Sequence, residues 1–310
     1  MGRKTFFTLL ISFLCLSLLV SLSEESFAEN EDLNPEKLVA AHIKSIGRQE
    51  YLAKINSRTF VGTTEVEFVQ GAVGKMTGTS MFVSEGPKLG IVMKYGDINY
   101  PGEYFAYDGN DVTVGHISPG QKSPIADFLY RFNGIMKEGL IGGVLSSSWP
   151  LLNIEEKQAD LKYRKTKIDD RELYELQYRP KNTLGEMKIR MYFEPGTFRH
   201  VRTEYTVQTS ADSTIGNPDT FDAFDEPDSV KAQNPNGSMM IGQQRPDSFY
   251  KLVEKFDEFK RIGGITLPQR YELSYSLEGS GQAFIAHWIL NASKWGFNQT
   301  FDPKIFQAQK

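Results

Sequence analysis

The stretch Arg58-Thr59-Phe60-Val61-Gly62-Thr63-Thr64-Glu65-Val66-Glu67-Phe68 decides the fold class. Phe60, Gly62, Thr64, Val66 and Phe68 alternate with Val61, Thr63, Glu65 and Glu67, which is the period of two that a half-buried strand requires. The same period continues outward. Met76, Gly78, Ser80 and Phe82 share one face of the next run, and Leu89, Ile91, Met93 and Tyr95 alternate with Lys88, Gly90, Val92 and Lys94 in the one after. Tyr107-Asp108-Gly109-Asn110-Asp111-Val112-Thr113-Val114 carries the Asp-Gly signal of a tight hairpin. Further strands are expected over 161–168, 173–178, 187–193, 201–207, 250–261, 267–277 and 283–295, with Gly263-Gly264 and Gly279-Ser280-Gly281 as turns. Short strands divided by Gly, Pro, Asn and Asp indicate a meandering antiparallel sheet. A sheet of roughly ten or more strands rarely stays flat and open, so it has to curl or split into layers.

Helices are few. Asn34 is a suitable N-cap and Pro35 a suitable first helical residue; Leu38, Ala41, His42 and Ile46 follow at helical spacing, and Gly47 is the stop. A short second helix is expected over 49–55. In the middle, Ser123-Pro124 opens a helix with Ile125, Phe128, Leu129 and Phe132 on one stripe. Gly134, Gly139, Gly142 and Gly143 then interrupt an apolar run containing Met136, Leu140 and Ile141, up to Trp149-Pro150. This reads as a broken helix or a mobile apolar flap, because each glycine lowers helix stability by up to about 1 kcal/mol. Residues 209–246 are rich in Asp, Pro, Gly, Asn and Ser and read as a long hydrated loop.

The N-terminus reads as a cleaved secretory signal over 1–28. Arg3 and Lys4 precede an uncharged apolar run from Thr5 to Leu22, and Ser26 and Ala28 supply small residues at the cleavage positions. The only cysteine, Cys15, lies in that apolar run, so residues 29–310 carry no thiol and form no disulfide. No second long apolar run follows, and the mature chain is not expected to span a membrane. The net charge of −4 argues against nucleic acid as a partner.

Signals of catalysis are missing. His42, His116, His200 and His287 lack the spacing of metal ligands, with His42 read as a residue at the core edge. There is no nucleophile elbow and no phosphate-binding loop. No catalytic residue, metal or cofactor is therefore assigned. What stands out is 21 Phe, 14 Tyr and 9 Met, many on alternating faces, a set suited to a concave apolar cavity around a flexible ligand.

Taken in order, several motifs carry a resemblance. They are the leader, Ser45-Ile46-Gly47, Phe60-Val61-Gly62-Thr63, the Tyr107–Val112 hairpin, the helical insertion, Gly264-Ile265-Thr266-Leu267-Pro268, and the closing Phe297-Asn298-Gln299-Thr300-Phe301-Asp302-Pro303-Lys304-Ile305-Phe306. The sequence resembles the LolA/LolB-like superfamily of periplasmic lipoprotein carriers and their outer-membrane lipoprotein-sorting relatives. That resemblance implies a mainly β (α+β) fold: a strongly curved, unclosed antiparallel β-barrel whose helices cover an apolar cavity. It also implies a periplasmic location and, as partner, a lipid or the acyl chain of a lipoprotein. The chain departs from the carriers in its longer 123–152 and 209–246 segments, and it lacks the acylated N-terminal cysteine of the receptor branch. Arg58 is the candidate for the arginine that latches the lid in the carriers.

On this reading residues 29–310 form a single lipid-binding domain and a non-enzymatic carrier. Phe60, Val66, Phe68, Met76, Phe82, Leu89, Ile91, Met93 and Tyr95 are the expected cavity wall. Phe128, Leu129, Phe132, Met136, Leu140 and Ile141 are the expected lid, and Gly134, Gly139, Gly142 and Gly143 its hinge. The alternatives are an envelope sensor or protein-interaction module with no ligand, and a hydrolase whose site one sequence does not reveal.

Overall fold

The computed structural model describes residues 33–182, 184–209, 248–279 and 282–308. The expected leader at 1–28 and the expected polar loop, from residue 210 on, lie outside these residues.

Helix α1 (Pro35–Ile46) starts as the sequence requires: Asn34 Oδ1 accepts from the backbone N–H of Lys37 at 2.8 Å, and Pro35 occupies the first turn. Its apolar stripe buries Leu38, Val39, His42 and Ile46. Gly47 ends the helix in an extended conformation and forms an isolated bridge with Ile265. Helix α2 (Gln49–Leu52) is a single turn, shorter than the expected span.

Five strands follow: β1 (Ser57–Gln70), β2 (Gly74–Glu85), β3 (Lys88–Tyr95), β4 (Gly102–Tyr107) and β5 (Val112–Val114). Asp108 closes the β4–β5 hairpin, its Oδ1 accepting from the N–H groups of Asn110 and Asp111 at 2.9 and 2.8 Å. The glycine-rich middle is a chain of short pieces: α3 (Pro124–Arg131), α4 (Gly134–Lys137), 3-10 turns at Gly143–Leu145 and Pro150–Asn153, and α5 (Ile154–Lys157). The sheet resumes with β6 (Asp160–Ile168), β7 (Arg171–Arg179), β8 (Lys188–Phe193), β9 (His200–Thr209) and β10 (Ser248–Asp257). A small hairpin, β11 (Lys260–Ile262) and β12 (Ile265–Leu267), precedes β13 (Arg270–Gly279) and β14 (Gln282–Phe297). The single strand expected over 250–261 is thus two. Glu258 adopts φ +55° and breaks it, and the separate two-stranded sheet turns at Gly263 and Gly264, with φ +60° and +88°.

Twelve strands form one antiparallel sheet in the order β5-β4-β3-β2-β1-β14-β13-β10-β9-β8-β7-β6. The first and last long strands meet at its centre, from Arg58 opposite Phe297 to Gln70 opposite Ile285. Among the described residues edges β5 and β6 do not pair, so the sheet is not closed. The chain runs out along one wing to β5 and returns along the other from β6, and residues 115–159 carry it from edge to edge. Edge strand β6 bears Lys162, Arg164, Lys165 and Lys167, charges that discourage pairing with another chain. Two strands lie between β2 and β13, yet the rings of Phe82 and Tyr271 approach to 6.2 Å. Among the described residues no helix is long and apolar enough to cross a membrane.

Candidate ligand-binding site

Strand register places all nine expected wall residues on one face. Phe60 lies opposite Phe82 and Val66 opposite Met76; Ile91, Leu89, Met93 and Tyr95 lie opposite Phe82, Ser84, Ser80 and Gly78; Phe68 follows Val66 at the same parity. Seven of them are buried, while Phe68 and Met76 are half-buried. The insertion 115–159 packs against this face. Of the expected lid residues, Phe128, Leu129, Met136, Leu140 and Ile141 are buried and Phe132 is half-buried. Expected wall and expected lid therefore share one packed core.

Several polar contacts fasten the insertion to the sheet, among them the hydroxyl of Tyr178 on β7, which donates to Glu138 Oε1 at 2.5 Å. At its start, Ser123 caps α3, and its hydroxyl donates to Glu103 Oε2 on β4 at 2.8 Å. Tyr100 donates to the other oxygen of Glu103 at 2.6 Å and accepts from Trp288 Nε1 at 2.8 Å. In its middle, the N–H of Gly142 donates to Glu254 Oε1 on β10 at 2.7 Å. Glu254 also accepts from the hydroxyls of Tyr271 and Tyr205, at 2.5 and 2.7 Å. Burial pushes both carboxyls up to about 7, while the donors around each favour the ionised form. Further along, Arg58 Nη1 on β1 donates to the carbonyls of Val144 and Ser146. Beside it, the hydroxyls of Ser84 and Ser147 lie 2.7 Å apart, and Ser147 N–H donates to Ser84 Oγ at 2.9 Å.

The four expected hinge glycines sit in different settings. Gly139, Gly142 and Gly143 have φ of +82°, +87° and +49°, a region that L side chains rarely adopt. A Cβ on Gly142 would stand 2.6 Å from the Phe82 ring. A Cβ on Gly143 would stand 2.8 Å from Phe256 and 2.9 Å from His200 Nδ1. Gly134 begins α4 and would meet only the flexible end of Leu184.

Aromatic rings link sheet and insertion in a continuous run. Tyr100 meets Phe68 at 5.0 Å, Phe68 meets Phe284 at 6.2 Å, Phe284 meets Tyr275 at 6.1 Å, Tyr275 meets Phe128 at 5.3 Å, and Phe132 joins Phe128 to Tyr250. Phe68, Phe132, Tyr250 and Phe284 in this run are only half-buried. Tyr250, Tyr275 and Phe284 were not anticipated as site residues, because sequence alternation does not say which parity of the C-terminal strands faces the insertion, and Tyr100 was missed because it lies between β3 and β4, outside any strand period.

His42 lies in the core rather than at its edge. It is 1 % exposed, with Nδ1 donating to the Phe198 carbonyl at 3.0 Å, and desolvation pushes it down to about 4. Its ring is 6.1 Å from that of His200, which is also buried and held well below its ordinary value. Among the described residues no group of three or more His, Cys, Asp and Glu is arranged to hold a metal ion.

No family model matches the chain, and no curated protein matches it. Among solved structures it is similar to a LolA superfamily protein, NE2245 from Nitrosomonas europaea, at 13 % identity and a TM-score of 0.42, covering 89 % of this chain and 98 % of that one. It is also similar to MucB in complex with MucA(peri), at 11 % identity and a TM-score of 0.19, covering 81 % and 91 %. The superfamily named for the first is the one that the sequence motifs resemble. At these scores neither likeness by itself assigns an activity.

Proposed function

We propose that this chain is an exported, periplasmic binder or carrier of lipid acyl chains, with residues 115–159 acting as a lid over a strongly curved apolar sheet face. The observation that carries the reading is the way the lid is held. A covering segment rich in glycine is fixed to an apolar face by a few discrete polar latches, Arg58, Glu254 and Glu103, beside half-exposed aromatic rings. Curvature is supported by the approach of Phe82 to Tyr271 across two intervening strands, which a flat sheet would hold about 14 Å apart. Displacing the lid exposes apolar surface that an acyl chain can cover again. Each buried methylene yields about 0.8 kcal/mol, so a sixteen-carbon chain offers roughly 12 kcal/mol before entropic costs. Capture then needs no covalent step.

The reading is tested by native mass spectrometry of residues 29–310 purified from a bacterial periplasm without detergent, followed by organic extraction. A bound acyl species whose occupancy drops in Phe132→Ser and Phe284→Ser supports it. An apo mass together with refusal of a fluorescent fatty acid would favour an envelope sensor instead.

A further inference from the structure

Arg58 carries a full positive charge in a place where a charge is costly. It lies on β1 at the parity of Phe60 and is 2 % exposed. Among the described residues it forms no ion pair with a carboxylate, and desolvation by burial pushes its ionisation down to about 10. Among the described residues its acceptors are two carbonyls of the insertion, those of Val144 and Ser146, and its Nε has no hydrogen-bond partner. Removing an ion from water costs several kcal/mol, and folded proteins normally recover this with an opposite charge. Two neutral carbonyl dipoles are weak compensation, and they leave a donor of the planar fork unused.

Other unpartnered groups flank the same segment. Among the described residues, buried side-chain atoms that lack a hydrogen-bond partner include Arg58 Nε, Trp149 Nε1, His200 Nδ1 and His42 Nε2. Trp149 follows the Val144 and Ser146 carbonyls in the chain and stacks on His200 at 4.9 Å. His200 lies under Gly143, and His42 lies beside His200. The unused N–H of the guanidinium and the unpaired indole N–H of Trp149, beside one dry segment, are two donors suited to an oxyanion, whereas neutral His42, whose Nδ1 donates to Phe198, presents only a lone pair at Nε2.

We infer that Arg58 is the counter-ion for an acidic headgroup, a carboxylate or phosphate carried on an amphiphile whose apolar chain lies against the Phe60–Phe82 face. This rests on the lipid-binding reading above and names the ligand class. The headgroup takes the guanidinium from the carbonyls of Val144 and Ser146, so that headgroup binding and lid closure compete for one side chain. Trp149 Nε1 supplies a second donor.

The test is displacement of a neutral probe, N-phenyl-1-naphthylamine, from residues 29–310 by oleate, oleyl phosphate and oleyl alcohol. Both acids are expected to displace the probe at least about tenfold more tightly than the alcohol. Arg58→Gln abolishes that preference and leaves the alcohol unchanged, Arg58→Lys retains part of it, and Trp149→Phe reduces it while keeping the ring. Should Arg58→Gln fail to fold, the wild-type preference and Trp149→Phe still decide. Equal displacement by alcohol and acids overturns this inference alone. Displacement by none of the three overturns the lipid-binding reading with it. Inorganic phosphate is expected to leave the acid preference intact; loss of the preference in its presence would point to a free-anion site and overturn the amphiphile assignment.

Discussion

The backbone N–H of Gly142 meets the carboxylate of Glu254 at 2.7 Å, in a site where neither the carboxylate nor its two tyrosine partners reach solvent. A residue in the middle of the insertion is thereby tied to the centre of the sheet. Gly142 also has φ +87° with the Phe82 ring against it, so the backbone conformation, the close approach and the hydrogen bond all depend on the same residue.

Gly142→Ala is therefore expected to destabilise the fold by about 2–4 kcal/mol, combining left-handed strain with a displaced ring. Gly134→Ala is the control: it sits in α4 and meets a movable leucine end, so its effect is expected within about 1 kcal/mol of zero. Urea unfolding of both variants measures the contrast, and equal losses would contradict it.

The two helix caps separate a latch from an ordinary cap. Asn34→Ala removes an exposed hydrogen bond at α1 and is expected to cost about 1 kcal/mol. Ser123→Ala removes the α3 cap and a buried donor to Glu103, and is expected to cost about 2–4 kcal/mol. Hydrogen exchange near residues 123–131 should quicken in Ser123→Ala, whereas Asn34→Ala should leave it unchanged.

Acidity acts on the buried groups in opposite senses. Glu254 and Glu103 are raised from 4.5 to about 7, so their protonated forms favour the fold; that contribution is full below 4.5 and is lost as pH rises through 7. His42 is lowered from 6.5 to about 4, so its contribution is full above 6.5 and is lost as pH falls toward 4. Glu254→Gln removes one loss on the alkaline side. Its stability should therefore fall less between about pH 5 and about pH 8 than that of the wild type. Parallel slopes in the two proteins would contradict the raised carboxyl.

Strand faces were legible in the sequence because a period of two leaves no freedom once register is set: Phe60, Val66, Phe82 and Ile91 share a face by arithmetic. Neither buried glutamate was singled out from the sequence, although Glu103 has the parity of Phe105 and Tyr107, and Glu254 that of Leu252 and Phe256. His42 was placed at the core edge, although its position on the stripe of Leu38 and Ile46 is a core position. The break after Asp257 was not legible, because Glu258 takes a positive φ without a glycine to announce it. Nor was the partnership of Arg58 with Val144, since polar contacts between residues 86 apart leave no periodic trace.

The central claim is that ligand enters only when the insertion leaves the sheet, and Ser84 and Ser147 test it most directly. Their hydroxyl oxygens are 2.7 Å apart, so the two side chains face each other, and residues 29–310 contain no thiol that would compete with a cysteine pair placed there. Uptake of a fluorescent fatty acid by Ser84→Cys/Ser147→Cys is then measured with the pair oxidised and reduced. The lid reading predicts that the oxidised form excludes the probe and that reductant restores uptake to the wild-type level. Equal uptake in both forms would show that the insertion is fixed core and that no ligand passes beneath it.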